Sequence, residues 1–139
     1  MEKRKPLKRD PALIPLSREH HKGLILAQLL KSDVPNYKGL PDDIPGKVAF
    51  AKTEYEQRLK THFEREESWL IPLCQGKNKN LREMAQRIHE EHNQIREKIT
   101  QLNEQSTPET LDQLGRLIES HIRFEEREWF QALQEQKVL

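Results

Sequence analysis

Apolar residues recur every three or four positions through most of the chain, and the recurrence breaks only where prolines and glycines collect. Pro6, Pro11 and Pro15 make residues 1–16 an extended arm, after which Ser17 is placed to cap a helix opening with Arg18 and Glu19 and running to about Ser32. The stretch Asp33–Gly46 carries three prolines and two glycines and is expected to be a loop. Val48, Phe50, Ala51, Tyr55, Leu59, His62, Phe63, Trp69 and Leu70 then keep helical spacing from Lys47 to about Leu70, with Pro72 and Gly76 closing that second helix. A third helix starts near Asn80 and carries the cleanest stripe: Leu81, Met84, Ala85, Ile88, His92, Ile95, Ile99 and Leu102. Thr107 followed by Pro108 restarts the chain as a fourth helix, striped by Leu111, Leu114, Leu117, Ile118, His121, Phe124, Trp129, Phe130 and Leu133. No useful strand alternation occurs, so the expected fold is all-α, an up-down-up-down antiparallel four-helix bundle over residues 17–139.

The composition narrows the function. Hydrophobic and charged residues each make up 34% of the chain, which confines the apolar residues to narrow stripes. A formal charge of +1 argues against a nucleic-acid surface spread over the fold. Lys3, Arg4, Lys5, Lys8 and Arg9 concentrate positive charge in the arm, which reads as solvated chain. Cys74 is the only cysteine, so a thiolate metal cluster is excluded. Neither a secretory leader nor an apolar run of membrane-spanning length is recognisable, and a cytoplasmic location away from membranes is expected.

The chemistry lies in where the six histidines fall. Every expected helix carries at least one: His20 and His21, then His62, then His89 and His92, then His121. His62 and His121 are each followed four residues later by a glutamate, Glu66 and Glu125. Four residues turn an α-helix by about 400°, so each pair shares a face. His21 and His92 match in having an aliphatic residue three positions on, Leu24 and Ile95. The chain thus reads as two copies of a helix with His followed by a helix with His-x-x-x-Glu, whose half-sites would converge in the core. Burying these groups unpaired would cost several kcal/mol each, whereas a metal removes that cost. Imidazole with carboxylate suits iron, manganese or zinc. Two choices stay open: His20 continues the Leu16, Leu24, Ala27 stripe and competes with His21, and Glu126 competes with Glu125.

The segments Leu16–His21, His62–Glu67, Glu91-His92 and His121–Glu126 resemble the hemerythrin-like proteins of the HHE cation-binding family, in order over nearly the whole chain. The resemblance implies an oxo- or hydroxo-bridged di-iron centre with His21, His62, Glu66, His92, His121 and Glu125 as ligands; His20, His89 and Glu126 are the further candidates. Oxygen-carrying members place two histidines four apart on the third helix. Here that position is Ile88, and His89 lies three before His92; without His89 as a ligand the set has six protein ligands and one more open position, which counts against simple reversible oxygen carriage.

The expectation is therefore a protein that binds dioxygen, nitric oxide or iron for sensing, storage or protection. A di-iron oxidoreductase acting on peroxide or oxygen is the competing reading, and a structural metal beside a partner-binding arm or 33–46 loop is the third. A small diatomic molecule or peroxide is the expected partner, with the chain a monomer or weak homodimer. Trp69 and Trp129 read as core packing, Tyr55 as a residue able to line a ligand pocket, and Glu64, Glu67, Glu128, Arg65, Arg123 and Arg127 as a solvated salt-bridging face.

Overall fold

The computed structural model describes residues 7–32, 35, 39–76 and 78–139. Among these the chain is helical, without a strand, and packs as a bundle of four helices: α1 (Ile14–Leu30), α2 (44–74), α3 (Lys79–Gln101) and α4 (108–135). α2 and α4 are unbroken but not uniform. The turns Tyr55–Leu59, Glu66–Leu70 and Glu125–Trp129 are π-helical, with the amides of Lys60, Ile71 and Phe130 donating five residues back to the carbonyls of Tyr55, Glu66 and Glu125. Single π-turns gather at functional sites. Two of these three open on a glutamate of the expected inward set.

The helix starts follow from capping chemistry. Asp43, Asn78 and Thr107 accept from the amides of Gly46, Leu81 and Thr110, and Pro45 and Pro108 sit in first turns, where no donor is needed. Two expected boundaries need correction. α1 begins at Ile14 instead of Arg18, because Pro15 is tolerated in a first turn and Leu13 and Leu16 gain burial there; Ser17 caps nothing and lends its hydroxyl to Glu126. α2 begins at Ile44 and runs through Pro72 to Cys74. A proline cannot donate four residues back, but Pro72 follows directly on a turn whose bonds already run five back, and Gly76, at positive φ, makes the turn beyond.

From residue 7 onward the arm is docked along α4, where Leu7, Lys8 and Arg9 are hydrogen-bonded. Lys3, Arg4 and Lys5, and residues 33, 34 and 36–38 of the loop, lie outside the described residues.

The core comes in two parts with a polar layer between them. One part gathers Leu26, Leu30, Val48, Ala51, Ile95, Ile99, Leu114 and Ile118; the other gathers Leu13, Leu16, Leu70, Cys74, Leu81, Ile88, Trp129 and Leu133. On every helix the buried residues His20, His62, Glu66, His92, His121 and Glu125 fall between the two sets. α1 lies closest to α4. A Cβ on Gly115 would stand 2.7 Å from the Ala27 carbonyl oxygen, so only glycine permits that approach.

Candidate metal centre

Four histidines, one from each helix, and two glutamates, from α2 and α4, meet in the polar layer. Their donor atoms fall into two groups, His20, His62, Glu66 and Glu125 on one side and Glu66, His92, His121 and Glu125 on the other, each with all its atoms within 4.8 Å of one another. Both glutamates belong to both groups, and both are 0% exposed. The imidazole Nε2 atoms face them: His20 donates to Glu125 Oε1 at 2.8 Å and His92 to Glu66 Oε1 at 2.9 Å. His121 Nε2 lies 2.8 Å from Glu125 Oε2, and His62 Nε2 lies 3.3 Å from Glu66 Oε2.

Each Nδ1 points the other way, to a second carboxylate on a neighbouring helix. His20 donates to Glu126 (2.6 Å), His62 to Glu19 (2.9 Å), His92 to Glu67 (2.7 Å) and His121 to Glu91 (2.8 Å). An outer carboxylate that fixes the ring and its tautomer is the usual companion of a metal-bound histidine. Every outer carboxylate is in turn held by an arginine: Glu126 by Arg9, Glu19 by Arg65, Glu67 by Arg96 and Glu91 by Arg87. Arg9, Arg96 and Arg87 also lie over the rings of Phe130, Phe63 and Phe124. The pattern has a two-fold character, since α1 relates to α3, and α2 to α4, in both ligands and outer partners.

Burial alone would drive the imidazoles to the neutral form, but the carboxylates outweigh it. Burial lowers the pKa of His20, and its bonds to Glu125 and Glu126 raise it to about 9. His92 reaches about 10 in the same way, through Glu125, Glu66 and Glu67. Burial pushes the Glu125 carboxyl up, and the attraction of His121, together with the carboxyl's polar contacts to Glu66, His121 and His20, leaves it well below the usual carboxylate range. Protons on the imidazoles thus balance the buried carboxylates, a role that cations would take over.

The donor atoms fit a metal better than they fit each other. Glu66 Oε2, His121 Nε2 and Glu125 Oε2 are fully buried and make no hydrogen bond, although the last two are only 2.8 Å apart. Leaving such groups unsatisfied costs about 1–3 kcal/mol each, and a cation within either donor group would satisfy them.

A cavity of about 20 Å³ reaches the centre from the side of His20, His62 and His121, between α1 and α2. Apolar Leu26, Leu59, Phe63, Ile95, Ile118 and Ile122 make up most of its wall, and Lys22, Arg58 and Glu54 stand among the remaining lining residues. That volume admits roughly one water-sized molecule. The position equivalent to Phe63 in the second repeat is Ile122, and the cavity lies against this smaller side chain.

Of the residues singled out by spacing, the structure brings together His62, Glu66, His92, His121 and Glu125. His21 is exposed, and His20 takes the inner position, because Leu16, His20, Gly23 and Ala27 form the buried face of α1. His89 is exposed and belongs to neither donor group, while Glu126 is an outer partner. Glu67 is likewise an outer partner and not part of a solvated face. Trp69 is 38% exposed, against the expected core position, and Tyr55 packs on the apolar core without lining the cavity.

The outer carboxylates Glu19 and Glu91 were missed from spacing, yet a signal was present. Glu19-His20 matches Glu91-His92, and Glu66-Glu67 matches Glu125-Glu126, so every outer carboxylate is adjacent in sequence to an inner ligand.

No curated protein and no solved structure matches the chain. The family model of the hemerythrin HHE cation-binding domain matches residues 14–133, which span all four ligand-bearing helices. With its His and Glu groups arranged to hold metal, the chain belongs to the hemerythrin HHE cation-binding domain family.

Proposed function

We propose that the centre holds two iron ions, one held by His20 and His62 and the other by His92 and His121, with Glu66 and Glu125 shared between them. The observation that carries this reading is that both buried glutamates belong to both four-donor groups. Manganese or zinc suits the same donor set and is expected in some purified samples. An iron pair supplies reversible electron exchange and an open coordination position. The protein holds each imidazole through its Nδ1 so that Nε2 faces inward, and it surrounds the approach with apolar side chains. The alternating order of the two core parts along successive helices supports an up-down-up-down path.

The size and apolar wall of the cavity favour a ligand such as dioxygen or nitric oxide, in sensing or protection, whereas the reading of iron itself as stored cargo rests on the His and Glu donor groups. A peroxide- or oxygen-reducing enzyme is the second reading, since peroxide is only slightly larger. Among the described residues no helix is long and apolar enough to cross a membrane.

Anaerobic loading with ferrous iron tests the proposal. Two irons per chain and new near-ultraviolet and visible charge-transfer bands on admitting air are expected. One iron or none, or an unchanged spectrum, would overturn it. Sustained peroxide turnover with a reductant would favour the enzyme over the binding protein.

A further inference from the structure

We infer that Arg9, on the segment preceding the residues matched by the family model, is a positioning residue for the His20 side of the centre. The inference rests on the di-metal reading above. Residues 7–9 are laid along α4: the Leu7 amide donates to Gln131 Oε1 at 3.0 Å and Gln134 Nε2 donates to the Lys8 carbonyl at 2.7 Å. The Arg9 guanidinium donates to Gln134 Oε1 at 3.1 Å, to the Glu126 carbonyl at 3.0 Å and to Glu126 Oε1 at 3.2 Å. The other oxygen, Glu126 Oε2, accepts from His20 Nδ1 at 2.6 Å and from the Ser17 hydroxyl at 2.8 Å. One face of this carboxylate therefore orients the imidazole while Arg9 fixes the opposite face.

Two features make the arrangement specific. The same guanidinium lies 5.4 Å from the centre of the Phe130 ring, which stacks on His20 with 5.6 Å between ring centres. A planar fork can bond a carboxylate, a carbonyl and an amide at once, which a lysine ammonium on the same stem does far less well. The arginines behind the other three outer carboxylates, Arg65, Arg87 and Arg96, are residues of the helices themselves. The His20 corner alone is held by an arginine from a segment that lies outside the helices.

The test compares wild type, R9A, R9K, E126Q and the R9A/E126Q double variant, each loaded anaerobically with ferrous iron and mixed with a coloured ferrous chelator. Removing an outer partner costs about 10–100-fold in metal affinity. Arg9 acts one bond further out, so one of the two irons is expected to leave R9A roughly 3–10-fold faster while the other keeps its wild-type rate. R9K should fall between the two, and the double variant should match E126Q, because Arg9 acts through Glu126. Wild-type release rates in R9A, even with a lower melting temperature of the metal-free protein, would make Arg9 a surface staple and overturn the inference. Additive effects in the double variant would do the same. A wild-type chain that takes up no iron would remove the di-metal reading and this inference with it.

Discussion

Each buried imidazole in the bundle directs its two nitrogens oppositely, Nε2 toward an inner glutamate and Nδ1 to an outer one. The outer bonds hold the Glu126, Glu19, Glu67 and Glu91 carboxyls below the usual range. For Glu19 the leading cause is its bond to His62; for the other three, burial pushes the pKa up, and the histidine bond together with the neighbouring arginine, and for Glu126 the Ser17 hydroxyl, outweighs it. Glu91→Gln is expected to fold and to weaken metal binding by about 10–100-fold, checked by competition with a chelator of known affinity; binding within twofold of wild type would remove the role given to the outer carboxylates. His20→Ala should abolish one of two bound metals and the exposed His21→Ala none, as metal analysis of the two proteins would show. The inner residues on α2, α3 and α4 were legible in the sequence because His-x-x-x-Glu and an apolar stripe each fix a face. On α1 the apolar stripe points to His20, while the match of His21 and Leu24 to His92 and Ile95 points to His21; the Glu-His pair, absent from that match, decides for His20. The carboxylate before the histidine is as constrained as the ligand itself, since it must orient the ring on a neighbouring helix.

At the scale of the element, the π-turns explain where a regular period misleads. Both turns at the centre open on an inner glutamate, so beyond Glu66 and Glu125 the helix no longer advances 100° per residue. Aligning the repeats on their glutamates puts Leu70 opposite Trp129 and Trp69 opposite Glu128; the first two are buried and the other two exposed. Trp69 was expected in the core because a 3.6-residue period was carried through a widened turn. Helix existence was legible throughout, whereas the starts of α1 and α2 were not, because prolines that break a helix interior are acceptable in its first turn. The α1–α4 contact yields a stability prediction. In Gly115→Ala the new methyl meets a backbone carbonyl that cannot move aside, and overpacking of about 1–3 kcal/mol outweighs the helix-propensity gain of about 1 kcal/mol. In Gly23→Ala the neighbour is the flexible end of Ile122, which can rotate away. Thermal unfolding should show Gly115→Ala melting roughly 5 °C below Gly23→Ala; equal midpoints would show that α1 and α4 are not in close contact.

At the scale of the molecule, the polar layer is a liability that the bundle tolerates by exchanging protons for cations. In the metal-free protein the imidazoles are protonated against buried carboxylates, with His20 raised to about 9 and His92 to about 10 from an ordinary 6.5. A histidine whose pKa is raised by folding stabilises the fold fully below its unfolded pKa. That contribution is lost as pH climbs through the folded value, so the metal-free bundle should weaken between about pH 6.5 and pH 10. Metal binding needs the same nitrogens without their protons, so it releases protons and tightens over the same range. The stabilisation conferred by metal, measured as the difference in melting temperature between loaded and metal-free protein, should therefore grow steadily from pH 6.5 to pH 9. Calorimetric titration in buffers of different ionisation enthalpy should show more than one proton released per ion near neutrality. A difference that stays flat with pH, or binding without proton release, would mean that cations and protons do not compete for these nitrogens, and the centre would have to be sought elsewhere in the chain.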